Sequence, residues 1–242
     1  MSDAQIHSLS IDRYLALQHP LGRCRVWLEF QWHRLFWRCL VVGAEYAKRG
    51  FDIVASFLAL LVLSPLFLLI AVLIKLEDRG PVFFRQTRVG QFGREFKMYK
   101  YRSMCLDAEE RLKELLGRNR HTQGVTFKIA DDPRITRIGK WLRKYSLDEL
   151  PQLYNVLRGQ MSLVGPRPPV PREVALYSLA DRRRLLVKPG ITCIWQISGR
   201  SEIDFSGQVL LDVKYIETHS FWVDVKILAK TVPAVLSGKG AC

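Results

Sequence analysis

The stretch FDIVASFLALLVLSPLFLLIAVLIKL, residues 51–76, is apolar almost throughout, with Asp52 and Lys75 near its ends. A helix crossing a bilayer needs roughly 20 apolar residues, so this run is long enough to enter a membrane. It is also interrupted. Pro65 removes a helical hydrogen bond and crowds the preceding turn, which predicts a kink at Ser64-Pro65. Such a break is tolerated at bilayer depth where a hydroxyl such as that of Ser64 satisfies the freed backbone group. Basic residues flank both ends: Arg38, Lys48 and Arg49 before the run, then Lys75, Arg79, Arg85 and Arg88 after it. Positive charge marks the cytoplasmic side. A simple spanning helix satisfies one flank; a helix–break–helix hairpin that enters one leaflet and returns satisfies both. The expected organisation is an N-terminal segment over 1–50, a re-entrant membrane helix over 51–76 and a cytoplasmic-face domain over 77–242.

Residues 21–48 mix arginine with Trp, Phe and Leu, the composition of an amphipathic helix at a membrane interface. Residues 81–104 read as two strands around a Gly90–Gly93 turn. Residues 105–120 read as a charged amphipathic helix, so Asp107, Glu109 and Glu110 belong to a solvated face rather than a catalytic cluster. A short basic helix is predicted around 134–144 and another helix over 150–158, followed by a Gly/Pro loop at 165–168. A basic helix is expected over 173–186, then a turn, a short strand and a glycine turn over 188–201, and one helix over 215–236. The fold class is thus mainly α with a small β-hairpin: a re-entrant membrane helix and interfacial amphipathic helices around a core at the cytoplasmic face.

The chain carries a formal net charge of +14, which favours anionic partners: nucleic acid, anionic lipid or phosphorylated substrate. Its five cysteines are scattered and show no CxxC or Cys/His spacing, and the histidines are equally dispersed, which argues against zinc and for free thiols. The first twenty residues lack the apolar run of a signal peptide. Neither a Walker A motif nor a GxGxxG is present, so ATP-type binding is not indicated.

In this basic chain Asp148 and Glu149 stand side by side within KYSLDELPQLYN. Ser146-Leu147-Asp148-Glu149 fits a capping box. Pro151 argues against an ordinary helix start there, because it would fall at the fifth helical position and disfavours helical geometry at Leu150. Arg134, Arg137, Lys140, Arg143 and Lys144 lie upstream, with Arg158 and Arg167 downstream. Positive surroundings keep carboxylates ionised. That suits a carboxylate nucleophile, and equally a ligand for Mg²⁺, a hard ion held by one or two carboxylates plus substrate phosphate. Arginines add bidentate contacts to phosphate oxygens, so the local inventory is that of phosphoryl transfer.

From about Phe51 to Cys242 the chain resembles the bacterial sugar transferases, the polyprenyl-phosphate hexose-1-phosphate transferases also called monotopic phosphoglycosyl transferases. The motifs are Ser64-Pro65, PVFFRQTRVG, YKYRSM, DPRITRIGKWLRKYSLDELPQLYNVLRGQMSLVGPRP, VKPGITCIWQISGR and LDVKYI. The resemblance implies a break at Ser64-Pro65 that keeps both ends cytoplasmic, on a bacterial inner membrane. It implies Asp148 as the nucleophile toward a UDP-sugar, an aspartyl–phosphosugar intermediate, and polyprenyl phosphate as acceptor. Glu149 would share the Mg²⁺ site with Asp148. Arg85, Arg88, Lys97, Arg143, Arg167 and Arg200 become candidates for phosphate, nucleotide or lipid-phosphate contacts, with Gln152 and Asn155 as polar support. The implied partners are UDP-sugar, polyprenyl phosphate and membrane lipids, with no nucleic acid; interfacial helices also suit a homo-oligomer. The chain departs from the family at Cys193, where glycine is usual, and at Cys242, where an aromatic residue is common. It lacks the membrane bundle that larger members carry ahead of this region, as a stand-alone catalytic unit would.

Two rival classes share the charge: a membrane-anchored nucleic-acid-binding protein, and a scaffold seated on anionic lipid through residues 21–76. Against the first, no nucleic-acid module signature appears.

Overall fold

The structure, a computed structural model, describes residues 14, 18–108, 110–111, 132–199 and 202–238. The chain divides into two units, Met1–Gly50 and Phe51–Cys242. The described part of the first is helical and exposes Trp27, Phe30, Trp32 and Trp37.

Helix α1 (Pro20–Val62) ends and α2 (Ser64–Asp78) begins at Leu63, where the chain bends by 60°. Pro65 has no N–H for the Leu61 carbonyl, four residues back; the Ser64 hydroxyl donates to that carbonyl instead, at 2.8 Å. No described helix is by itself long and apolar enough to cross a membrane, but this bent pair passes that test together. Two polar anchors tie the apolar segment to the domain. Buried Asp52 accepts from the Leu163 N–H at 3.1 Å. At the other end Asp78 pairs with Arg102 through both carboxylate oxygens.

Strands β1 (Phe83–Val89) and β2 (Glu95–Tyr101) form the expected antiparallel hairpin, with Phe83 opposite Tyr101 and Val89 opposite Glu95. The connection is a tight turn at Gln91–Gly93, where Gly93 has φ +78. Helix α3 (Arg137–Lys144) is N-capped by Thr136, and Glu77 reaches across to accept from the Arg137 and Ile138 N–H groups. A 3₁₀ turn, Leu147–Glu149, then leads into α4 (Gln152–Leu157). Strand β3 (Ser162–Val164), a three-residue run that was not predicted, pairs in parallel with β4 (Gly190–Thr192), the short strand expected within 188–201.

Three expectations need correction. The basic segment 173–186 is not one helix: α5 (Pro171–Val174) stops, and Asp181 accepts from the Ser178 N–H and hydroxyl to start a separate 3₁₀ run, Asp181–Leu186. Residues 194–198 form a helix, α6 (Ile194–Ser198), where a glycine turn was expected. The single helix over 215–236 is two helices, α7 (Phe205–Thr218) and α8 (Phe221–Ser237), because the Ser220 hydroxyl caps a new start by accepting from the Val223 N–H. Of the helix expected at 105–120, residues 112–120 lie outside the described residues; Asp107 pairs with Arg111 at 2.6 Å on an exposed face.

One apolar core joins the hairpin, α4, β3, α7 and α8 through Phe96, Met98, Val156, Val164, Tyr215 and Ile227. A second packs Ile70 and Ile74 of α2 against Tyr101 and Leu142, with Leu147 and Leu150 at its edge. The second core sets α2 directly beneath the turn that carries Asp148 and Glu149.

Candidate active site

The Asp-Glu pair sits on the 3₁₀ turn Leu147–Glu149, and the chain enters it through Ser146 in the left-handed region at φ 53. The capping box does not form, since the Ser146 side chain makes no cap hydrogen bond. Glu149 instead turns toward β2, where Lys100 Nζ donates to its Oε1 at 2.5 Å and lies 4.0 Å from Asp148 Oδ2. Arg167 Nη1 is 3.7 Å from the same Glu149 oxygen.

The pair faces a cavity of about 540 Å³ whose wall includes Arg88, Lys100, Arg134, Arg143 and Arg167. Arg134 lies just before α3, and four elements deliver the other four cations. Arg88, on β1, is fixed by donating to the Pro168 carbonyl at 2.8 Å and to Gln86. Lys100 comes from β2 and Arg143 from α3, where its Nε donates to Ser103 Oγ at 2.9 Å. Arg167 rides on the Gly165-Pro166-Arg167-Pro168 loop. That loop lies flat on 188–190: a Cβ at Gly190 would stand 2.1 Å from the Gly165 nitrogen.

Burial makes these charges unequal. It would raise Glu149, but Lys100 and Arg167 outweigh it and hold the carboxylate at about 2. Asp148 goes the other way: burial, opposed by Lys100 and reinforced by the Glu149 charge, pushes it above the ordinary carboxylate range. The expectation that both acids lie low in a basic field therefore holds for Glu149 alone. Burial also lowers Arg88 to about 10, with Arg167 adding to the effect, and lowers Lys100 and Arg143.

Of the residues singled out in the sequence, Asp148, Glu149, Arg88, Arg143 and Arg167 meet at this cavity. Gln152 is buried beside a small pocket lined also by Lys100, Glu149 and Arg167. Three do not meet it. Arg85 lies over the Tyr99 ring at 5.3 Å, and Lys97 donates to Thr87 Oγ1 at 2.7 Å; both stay on the hairpin. Asn155, fully buried, donates to the Lys97 carbonyl and Gln160 and accepts from the Tyr99 N–H, so it clasps α4 to β2 rather than binding substrate. Arg200 lies outside the described residues. Lys100, which meets the pair at the cavity, is a residue that sequence reasoning missed. Its signal was present in YKYRSM, but only strand pairing places it against a dipeptide 48 positions away.

The cavity extends away from the carboxylates to Tyr177, Arg184, Trp195, Gln196, Phe205 and Gln208. There Arg184 is buried and pairs with Asp212 through Nε at 2.8 Å and Nη2 at 2.6 Å, while donating to the Tyr177 hydroxyl at 3.1 Å. Burial, opposed by Arg184, raises Asp212 to about 6. Cys193 precedes α6 in extended backbone, φ −153, which any residue adopts, so cysteine there costs no backbone strain.

The donor set suits Mg²⁺. Two adjacent carboxylates, one held firmly ionised, are what such an ion takes from a protein when phosphate oxygens and water complete its shell. Among the described residues no group of three or more His, Cys, Asp or Glu side chains converges, so the remaining ligands would come from substrate.

Residues 43–238 match the family described as bacterial sugar transferase. The chain is 52% identical over 196 residues to the galactosyl transferase CpsE of Streptococcus agalactiae serotype III, covering 81% of this chain and 43% of that protein. It is 45% identical over 198 residues to the exopolysaccharide production protein ExoY of Rhizobium meliloti, covering 81% and 88%. It is 44% identical over 202 residues to the undecaprenyl-phosphate galactose phosphotransferase of Salmonella typhimurium, covering 82% and 42%. The chain thus spans less than half the length of the first and third of these proteins and most of the second.

Proposed function

The chain belongs to the bacterial sugar transferase family, and from that membership we propose that it is a phosphoglycosyl transferase moving a sugar 1-phosphate from a UDP-sugar to polyprenyl phosphate, an early step of exopolysaccharide or other glycoconjugate assembly. The observation that carries the reading is the buried Asp148–Glu149 pair set against Lys100, Arg88, Arg143 and Arg167 at one cavity. A nucleic-acid reading is less favoured, because Arg88, Arg134 and Arg184 are buried rather than spread along a surface stripe.

An Asp148 carboxylate oxygen attacks the β-phosphorus of the UDP-sugar. The bond from that phosphorus to the bridging oxygen breaks, and UMP leaves with the electron pair. An oxygen of polyprenyl phosphate then attacks the phosphorus of the aspartyl–phosphosugar. Asp148 departs as a carboxylate, and polyprenyl-diphosphate sugar is released. Arg143 and Arg167 line the same cavity as Asp148, which supports a role for them in stabilising the charge that develops on the phosphoryl oxygens. Lys100 offsets the Glu149 charge and so favours the ionised Asp148 that the attack requires. Mg²⁺, held by Asp148 and Glu149, would neutralise the diphosphate as it binds.

The reading also has the enzyme on the cytoplasmic face of the inner membrane, with residues 51–76 dipping into one leaflet and returning. The 60° bend, the Ser64 hydroxyl on the Leu61 carbonyl and the Asp52 and Asp78 anchors support it. The test is chemical. Incubation with UDP-sugar alone should leave a sugar-phosphate on Asp148, seen by mass spectrometry, and Asp148→Asn should lower UMP release by at least about a thousandfold while the protein stays in the membrane fraction. Wild-type turnover by that variant would refute the assignment.

A further inference from the structure

The cavity has two chemistries. Around the carboxylates it is strongly cationic. At its other end Arg184 is neutralised by Asp212 and lies 5.8 Å and 5.7 Å from the centroids of the Tyr177 and Phe205 rings. Those rings are 5.6 Å apart and tilted by 43°. This end is therefore aromatic and close to neutral, a poor place for phosphate and a good one for a flat uncharged ring.

Two amides on the same wall add direction. Gln208 Nε2 donates to the Ile203 carbonyl at 2.9 Å, which fixes the side chain, and no described residue donates to its Oε1. Gln196 Oε1 accepts from Cys193 Sγ at 3.3 Å, which leaves its amide N–H groups as donors. One acceptor and one donor are what a pyrimidine with adjacent carbonyl and N–H groups requires.

The elements also separate the two substrates. Leu147 and Leu150, flanking the carboxylates, pack on α2 through Ile70 and Ile74, the side from which the reading above would bring a lipid acceptor. The aromatic end is built instead by Asp181–Leu186 and α7. A volume of about 540 Å³ lies within the roughly 300–1,000 Å³ of ligand sites.

We propose that the cavity end formed by Tyr177, Phe205, Gln196 and Gln208 around the Arg184–Asp212 pair is the nucleoside subsite, seating the uracil ring of the donor. The proposal rests on the UDP-sugar reading above, and it assigns specificity for the base to Gln208 and Phe205. Equilibrium binding of UMP and of ribose 5-phosphate, which lacks the base, to the full-length protein in nanodiscs tests it without turnover. Wild-type protein should prefer UMP by about tenfold or more, because a buried hydrogen-bonding edge discriminates strongly. Gln208→Leu and Phe205→Leu should each lose most of that preference while binding ribose 5-phosphate as wild type does. Unchanged UMP preference in both variants would overturn the proposal, as would an equal loss of affinity for both ligands. Failure of the transferase reading itself shows separately, as undiminished UMP release by Asp148→Asn.

Discussion

At the scale of single residues, Lys100 decides how the two acids differ. Its ammonium touches Glu149 and stands one step further from Asp148, so it offsets burial fully at one carboxylate and partly at the other. Lys100→Met should raise both pKa values, and the acid limb of the pH–rate profile should move up by about 1–3 pH units, the effect of an opposite charge at this range. Lys100→Arg should largely restore it. An unmoved limb in Lys100→Met would exclude the role. Stability follows with opposite signs at the two acids. Glu149, depressed to about 2, contributes stability that is complete above the ordinary glutamate value and lost as pH falls from there toward 2. Asp148, raised, is held protonated more tightly by the folded chain, so its contribution declines as pH rises from the ordinary aspartate value through its folded one. Glu149→Gln should therefore flatten the acid side of a melting-temperature profile.

At the scale of elements, the site depends on how closely α3 can approach the end of the hairpin. The Thr136 N–H donates to the Ser103 carbonyl at 3.1 Å, and a Cβ on Gly139 would lie 2.0 Å from that same oxygen. Glycine is required there by contact with backbone, which cannot give way as a side chain can. Gly139→Ala should push α3 off Ser103, carry Arg143 with it, cost about 3 kcal/mol or more in stability and lower turnover further than the melting shift explains. Thermal unfolding and UMP release measured together would check this, and a variant with normal values in both would show that α3 is free to slide. The sequence displayed α3 through its basic composition, but carried no sign that Gly139 was a contact rather than a weak helix residue.

At the scale of the whole molecule, the proposed re-entry of the bent apolar pair would set the chemistry at the membrane surface. A leaflet-dipping hairpin predicts both chain ends on one side of the membrane. Single cysteines near residue 20 and near residue 235, in a background with the native thiols replaced, should react with an impermeant maleimide only after the inner membrane is opened. Labelling of one end in intact spheroplasts would end the re-entrant reading. Pro65→Ala restores an N–H to the Leu61 carbonyl and removes the cause of the bend; under the same assay one end should become accessible, or the protein should leave the membrane fraction.

The local properties of the chain were legible in its residues. The apolar run, the break at Ser64-Pro65 with its hydroxyl repair, the hairpin around Gly90–Gly93 and the improbable Asp148-Glu149 neighbours all follow from side-chain chemistry within a few positions, and short-range physics repeats wherever the sequence does. Caps at Ser178–Asp181 and Ser220 were also local, yet they competed with helical periodicity and were lost beneath it. What folding alone decided is which distant charges share one low-dielectric space. It left Arg85 and Lys97 on the hairpin, spent Asn155 on the backbone of β2, and set Lys100 against Glu149. Electrostatic energy depends on separation and burial, and neither is a function of position along the chain.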